Sequence, residues 1–268
     1  MRTTLRFSYC LSLVIFLVPV GRAQPTLLDI GYRQMYNLEF EAAHRTFGEW
    51  QRIHPDDPLG PASDAAAYLF TEFDRLHILQ TEFFTRDDHF YTDKKLTPDP
   101  VIKQKFDAAL DKALLLAAKT PQEANSRFAS LLARGLRSDY MALIEKRYVS
   151  SFKEMKTARM MAEQLLADHP EYTDAWIAVG VENYMLSVKP APIRWLLRLS
   201  GGETDKALGL EKLRVTAQTG HYLLPFARLL LAVAALRDHQ KEQAREILTE
   251  LAMDYPRNPL FKQELARL

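Results

Sequence analysis

Apolar residues recur along most of this chain at helical spacing, and polar breaks divide them into short segments. Leu28, Gly31, Tyr32 and Met35 share one face of a helix expected over 27–36. Asn37-Leu38-Glu39 turns the chain. Phe40, Ala43, Phe47 and Trp50 form the apolar face of a second helix over 39–53, stopped by His54-Pro55. Further on, the pattern predicts helices over 63–84, from Asp99 to about Ala118, from Thr120 toward Ser150 with a weak point at Gly135, and over 153–168. Thr120-Pro121-Gln122-Glu123 reads as a capped start with proline in the first turn. The polar stretch from Thr85 to Pro100 reads as a loop. Helices follow over 174–187, 204–218, 224–236 and 241–254, and 258–268 reads as a short closing helix.

One pattern returns along the chain. Ala43-x3-Phe47, Ala158-x3-Ala162 and Ala244-x3-Leu248 each begin twelve residues before a proline, at Pro55, Pro170 and Pro256. Trp176-x2-Val179-Gly180 supplies the other half of the same unit. Together these motifs resemble the tetratricopeptide repeat, whose signature runs W-x2-L-G-x2-Y, then A-x3-F, then P. The resemblance covers the first unit, 153–187 and 204–256, and weakens over 57–135. It implies an all-α solenoid (an α-α superhelix) of about five helix pairs over 24–268. The spacing leaves 188–203 as an insertion between paired helices.

In this family the first helix of each unit lines a concave face. By resemblance the inward positions are Leu28, Tyr32, Met35 and Tyr36 in the first unit. They are Asp174, Ile177, Val181, Tyr184 and Met185 in the unit opened by Trp176, and Phe226, Leu229, Val233, Leu236 and Arg237 in the last. Such a lining suits a peptide or a helix, so Tyr32, Met35, Tyr36, Tyr184 and Met185 are candidate partner-binding residues. The same residue types and spacing also fit the core of a tightly wound array. Leu28 and Tyr32 occupy positions where the family's carboxylate clamp needs cations and amides, which rules that clamp out in the first unit.

The insertion is chemically distinct. Lys189-Pro190-Ala191-Pro192 stiffens its start, and Ile193 to Leu199 fits two helical turns before Ser200-Gly201-Gly202. Arg194 and Arg198 share one face, Trp195 and Leu199 another. Trp195 and Leu199 are therefore candidates for docking on a partner or a lipid interface, or for packing back on the array.

Composition narrows the function classes. Arg2 and Arg6, the apolar run from Phe7 to Val20 and Gly21-Arg22-Ala23 read as an export signal cleaved after Ala23, with an uncleaved anchor as the alternative. The expected product is periplasmic or secreted. Cleavage would remove Cys10, the only cysteine, and leave a net charge of −2. That excludes cysteine chemistry and gives no electrostatic reason to bind nucleic acid. No H-E-x-x-H, G-x-S-x-G or phosphate-cradling glycine loop is present. Arg86-Asp87-Asp88-His89 with Asp93 is the one metal-like cluster; it lies in the polar loop and reads as a charged surface run. The sequence thus predicts a non-catalytic protein-interaction scaffold without cofactor or metal that holds a peptide or helix in an apolar groove; the alternatives are an envelope-assembly factor that contacts a membrane or membrane complex through 188–203 and, behind it, an enzyme with an unrecognised site on the helical frame.

Overall fold

The computed structural model describes residues 24–80, 96–189 and 191–268. The expected export signal over 1–23 and the cluster 86–89 with Asp93 lie outside the described residues. Twelve α-helices are present among the described residues, and no strand: α1 (Leu27–Tyr36), α2 (Phe40–Ile53), α3 (Leu59–Arg75), α4 (Pro100–Ala117), α5 (Ala124–Leu143), α6 (Tyr148–Asp168), α7 (Trp176–Ser187), α8 (Ala191–Leu199), α9 (Lys206–Thr219), α10 (Leu224–Arg237), α11 (Lys241–Asp254) and α12 (Pro259–Arg267). None is long and apolar enough to cross a membrane.

The helices pack as sequential antiparallel pairs: α1 with α2, α3 with α4, α5 with α6, α7 with α9, and α10 with α11, closed by α12. Close approach within a pair depends on small residues. A Cβ at Gly31 would lie 2.3 Å from Phe47 Cε1, so the α1 backbone rests directly on that buried ring. Gly180 of α7 meets Leu213 of α9 in the same way, at 2.9 Å. Gly209-x3-Leu213 thus occupies the place of Ala43-x3-Phe47, with α8 inserted inside the pair. This fourth unit lacks its proline. Instead Asp174, in the 3-10 turn Thr173–Ala175, accepts the amides of His221, Tyr222 and Leu223 at 2.9, 2.8 and 3.1 Å. Burial pushes its carboxyl above the usual range, against the pull of those three amides.

Several boundaries differ from the sequence expectation. α3 starts at Leu59, with Pro58 as its cap and Pro61 in the first turn, where its missing amide costs nothing. It ends at Arg75, well before Phe84. Thr120 to Glu123 form a turn ahead of α5, and Thr120 Oγ1 bonds Ser126 Oγ at 2.7 Å rather than capping a helix. The long helix expected to run toward Ser150 stops at Leu143, and α6 begins at Tyr148. The break carries no glycine or proline, because Lys146 itself takes the left-handed conformation at φ 56°. Leu38 and His239 do the same in the α1–α2 and α10–α11 turns.

The two ends of the array meet. Tyr36 Oη donates to the Tyr222 carbonyl at 3.0 Å, Asn258 Nδ2 donates to the Tyr36 carbonyl at 2.9 Å, and Arg257 pairs with Glu39. Phe70 of α3 meets Phe226 of α10 edge-on at 5.8 Å. In an open repeat array each unit touches only its neighbours; here the first pair also packs on the last units, so the array closes on itself. The inner faces of α1, α3, α5, α7 and α10 converge on a central cavity of about 70 Å³.

Candidate functional site

Closure decides where the expected binding residues lie. Tyr32, Met35 and Tyr36 are buried at the seam, and Tyr184 is 2 % exposed beneath α9. Burial pushes the phenols of Tyr32 and Tyr36 far above their ordinary range. These four side chains are core, the alternative the sequence had left open. Met185 is half-buried and faces a different space.

That space is a partly open chamber of about 470 Å³ bordered by α5, α6, α7 and α8. Its walls are mainly apolar. Leu143 comes from α5, Phe152 and Met155 from α6, Val181 and Met185 from α7, and Ile193 and Leu197 from α8. Ser138 donates to the Ser151 carbonyl at 3.0 Å, which ties α5 to α6 at the chamber floor. Among the described residues, two ionisable groups besides the Tyr148 phenol line the space: Asp139 of α5 and Lys189, just after α7. Asp139 also borders the central cavity, so the chamber and the cavity share a wall.

Asp139 is the residue the sequence reading missed. Burial pushes its carboxyl up to about 7. The signal was present. Leu132, Gly135, Leu136, Asp139 and Leu143 fall on one stripe of α5, so an acid stands where the helical period demands an apolar residue. Lys189 has the opposite problem. Burial, then repulsion from Lys146 and Arg237, pulls its ammonium down to about 8, and it lies 5.7 Å over the Tyr148 ring.

The inserted helix α8 roofs the chamber. Polar contacts hold its flanks. Arg194 donates to the Lys189 carbonyl at 2.9 Å, and Arg198 bonds Thr204 Oγ1. Lys156 Nζ donates to the Ser200 carbonyl at 2.9 Å. Gly201 then turns the chain at φ 77°, a conformation that suits glycine. Downstream, the fully buried Glu182 accepts the Glu203 amide at 3.0 Å and Arg159 Nε at 3.2 Å, while Asn183 accepts the Asp205 amide at 3.1 Å. Arg194 is half-buried and Arg198 exposed, each bonded to residues that flank α8. Trp195, Leu196 and Leu199 point outward, 66 %, 61 % and 66 % exposed.

Among the described residues no group of three or more His, Cys, Asp or Glu side chains is arranged to hold a metal ion. The chain is an all-helical protein of sequentially paired helices, and no protein-family model, curated protein or solved structure matches it.

Proposed function

We propose that this chain is a non-catalytic binding protein that meets a lipid surface through α8. The observation that carries this reading is the exposure of Trp195, Leu196 and Leu199 side by side on that helix, while Arg194 and Arg198 bond the residues that flank it. Contiguous exposed apolar side chains mark contact sites, and a short helix with a Trp/Leu face suits the boundary between head groups and acyl chains. Lys189, Arg194 and Arg198 make 188–202 cationic, with no acid in the segment, which favours anionic lipid. An export signal over 1–23 would bring the protein to such a surface outside the cytoplasm. The tetratricopeptide relationship rests on the repeated motif and the paired helices. A peptide groove lined by Tyr32, Tyr36 and Tyr184 has less support, because those rings are enclosed.

Flotation of residues 24–268 with phosphatidylcholine liposomes, with and without phosphatidylglycerol, tests the reading. The protein is expected to float with the anionic liposomes. The Trp195→Ser/Leu199→Ser variant is expected to stay at the bottom while melting like the parent. Parent protein that stays at the bottom with both compositions overturns the proposal.

A further inference from the structure

We propose that the cleft between the first helix pair and the turns after α6 and α9 binds a small quaternary ammonium cation against the rings of Trp50 and Tyr172. Its described lining includes no residue of α8, so this goes beyond lipid contact there and stands without it.

The cleft exists because the array closes on itself. Leu28 of α1, Trp50 of α2 and Asp57 after it border a space of about 320 Å³ together with Phe128 of α5, Tyr172 after α6 and Tyr222 after α9. That volume lies within the range of small-molecule sites, roughly 300–1,000 Å³. Leu28 and Phe128 are buried and give an apolar base. Trp50 and Tyr172 are half-buried, so part of each ring is open to the cleft. The Trp50 indole N–H donates to Asp57 Oδ2 at 2.9 Å, and the Tyr172 hydroxyl donates to Asn125 Oδ1 at 2.7 Å. Both rings are thus held in place. Aromatic faces attract cations, and quaternary ammonium groups are the ligands that aromatic walls recognise.

Charge points the same way. Asp57 and Asp174 line the cleft, and neutral donors hold both. Asp57 Oδ1 accepts the Leu59 amide at 2.9 Å, and Asp174 accepts the amides of His221, Tyr222 and Leu223. Such donors fix a carboxylate without cancelling its charge. Glu171 adds a third acid, and among the described residues no lysine or arginine lines the cleft. His221, the base there, has its Nε2 2.6 Å from Asp29 Oδ1. The negative field reaches the rings. After burial, Glu171 and Asp57 push the Tyr172 phenol up, and Asp29, Asp174 and Asp57 do the same at Tyr222. Each oxygen of Asp57 already holds a donor, so a cation gains from the field and from ring contact more than from new hydrogen bonds. A cation without N–H groups fits best, its methyl groups on Trp50, Tyr172 and the apolar base.

The probes are choline, ethanolamine and dimethylbutanol, an uncharged isostere of choline. Each is titrated calorimetrically into residues 24–268 at low ionic strength, without membranes. Choline is expected to bind one to one, at least about tenfold tighter than dimethylbutanol, and tighter than ethanolamine. Asp57→Asn is expected to remove most of the preference over dimethylbutanol. Tyr172→Leu is expected to weaken choline by about fivefold or more, while Tyr172→Phe binds it like the parent. Melting curves confirm that each variant is folded, and the Tyr172 pair decides alone if Asp57→Asn is not. The proposal is overturned if choline fails to bind, if dimethylbutanol or ethanolamine binds as tightly, or if folded Asp57→Asn or Tyr172→Leu binds choline like the parent. Liposome flotation and choline titration read separate events, so either reading can fail alone.

Discussion

Tyr32, in the first helix, stacks on Tyr222 near the other end of the chain, with ring centroids 4.8 Å apart and planes 24° apart. Tyr36 extends the contact to Tyr255 at 5.5 Å, and His221 Nε2 lies 2.6 Å from Asp29 Oδ1 beside it. A row of aromatic rings therefore joins elements with no sequence proximity, and it makes the helix pairs one cooperative body. Tyr222→Ala should remove the stack and cost about 3 kcal/mol, read as a lower denaturant midpoint. If the seam joins the whole array, the transition stays single in the parent and broadens or splits in the variant.

Within the first pair, Gly31 and Phe47 are matched by shape. Gly31→Ala places a methyl group where the ring is, so the pair must separate, at a cost of about 1–3 kcal/mol. Combining it with Phe47→Leu should recover part of that loss, and a double-mutant cycle by urea unfolding measures the coupling. Additive single effects would contradict the close approach.

Asp174 satisfies three amides from one buried position. Asp174→Ala leaves them without partners where water has little access, and should destabilise by about 3 kcal/mol or more. Hydrogen exchange should show the amides of His221, Tyr222 and Leu223, between α9 and α10, losing protection before those two helices do.

His239 is exposed and holds φ 61°. A side chain in that region costs about 1–2 kcal/mol relative to glycine. His239→Gly should therefore raise stability by about 1 kcal/mol, net of the glycine's greater freedom when unfolded, seen as a higher melting temperature. The same change at a right-handed helical position would lower it.

Asp139 sets a pH dependence whose sign follows from its elevated value. The folded-state pKa of about 7 lies above the unfolded value of about 3.9. Between those values the folded chain holds a proton that the unfolded chain has lost. Its contribution to stability is therefore complete below about pH 4, declines as pH rises to 7, and is flat above. Asp139→Asn should match the parent at pH 4 and exceed it at pH 8 by on the order of 2 kcal/mol, since water in the chamber screens the charge.

Much of the pairing was legible in the sequence, because it depends on local chemistry. Ala43, Phe47 and the prolines at 55, 170 and 256 announce where helices touch and stop. The boundary near Lys146 was not legible, since a lysine gives no sign that it will adopt a left-handed turn. Asp174 replaced the missing proline by reaching backbone far along the chain, a contact no local pattern encodes. Closure was hidden for the same reason. Tyr32 and Tyr36 look identical as groove or core until Tyr222 and Tyr255 are seen against them. Spacing marked out 188–203, where a short helix stands, but the Arg/Trp/Leu pattern left open whether Trp195 packs back on the array, and it is exposed. The chamber beneath it depends on how far α8 stands off α5 and α6, which residue types alone do not specify.

The ring of contacts at the Tyr32–Tyr222 stack also limits how this architecture can change. Open arrays lengthen or shorten by whole duplications, because each added hairpin finds the same neighbour surface. Here an extra hairpin would carry the last units past the first and leave both halves of the tyrosine stack facing water. The number of hairpins is thus set by geometry, and novelty has to enter sideways, as bulges between paired helices. The α8 roof is one such growth.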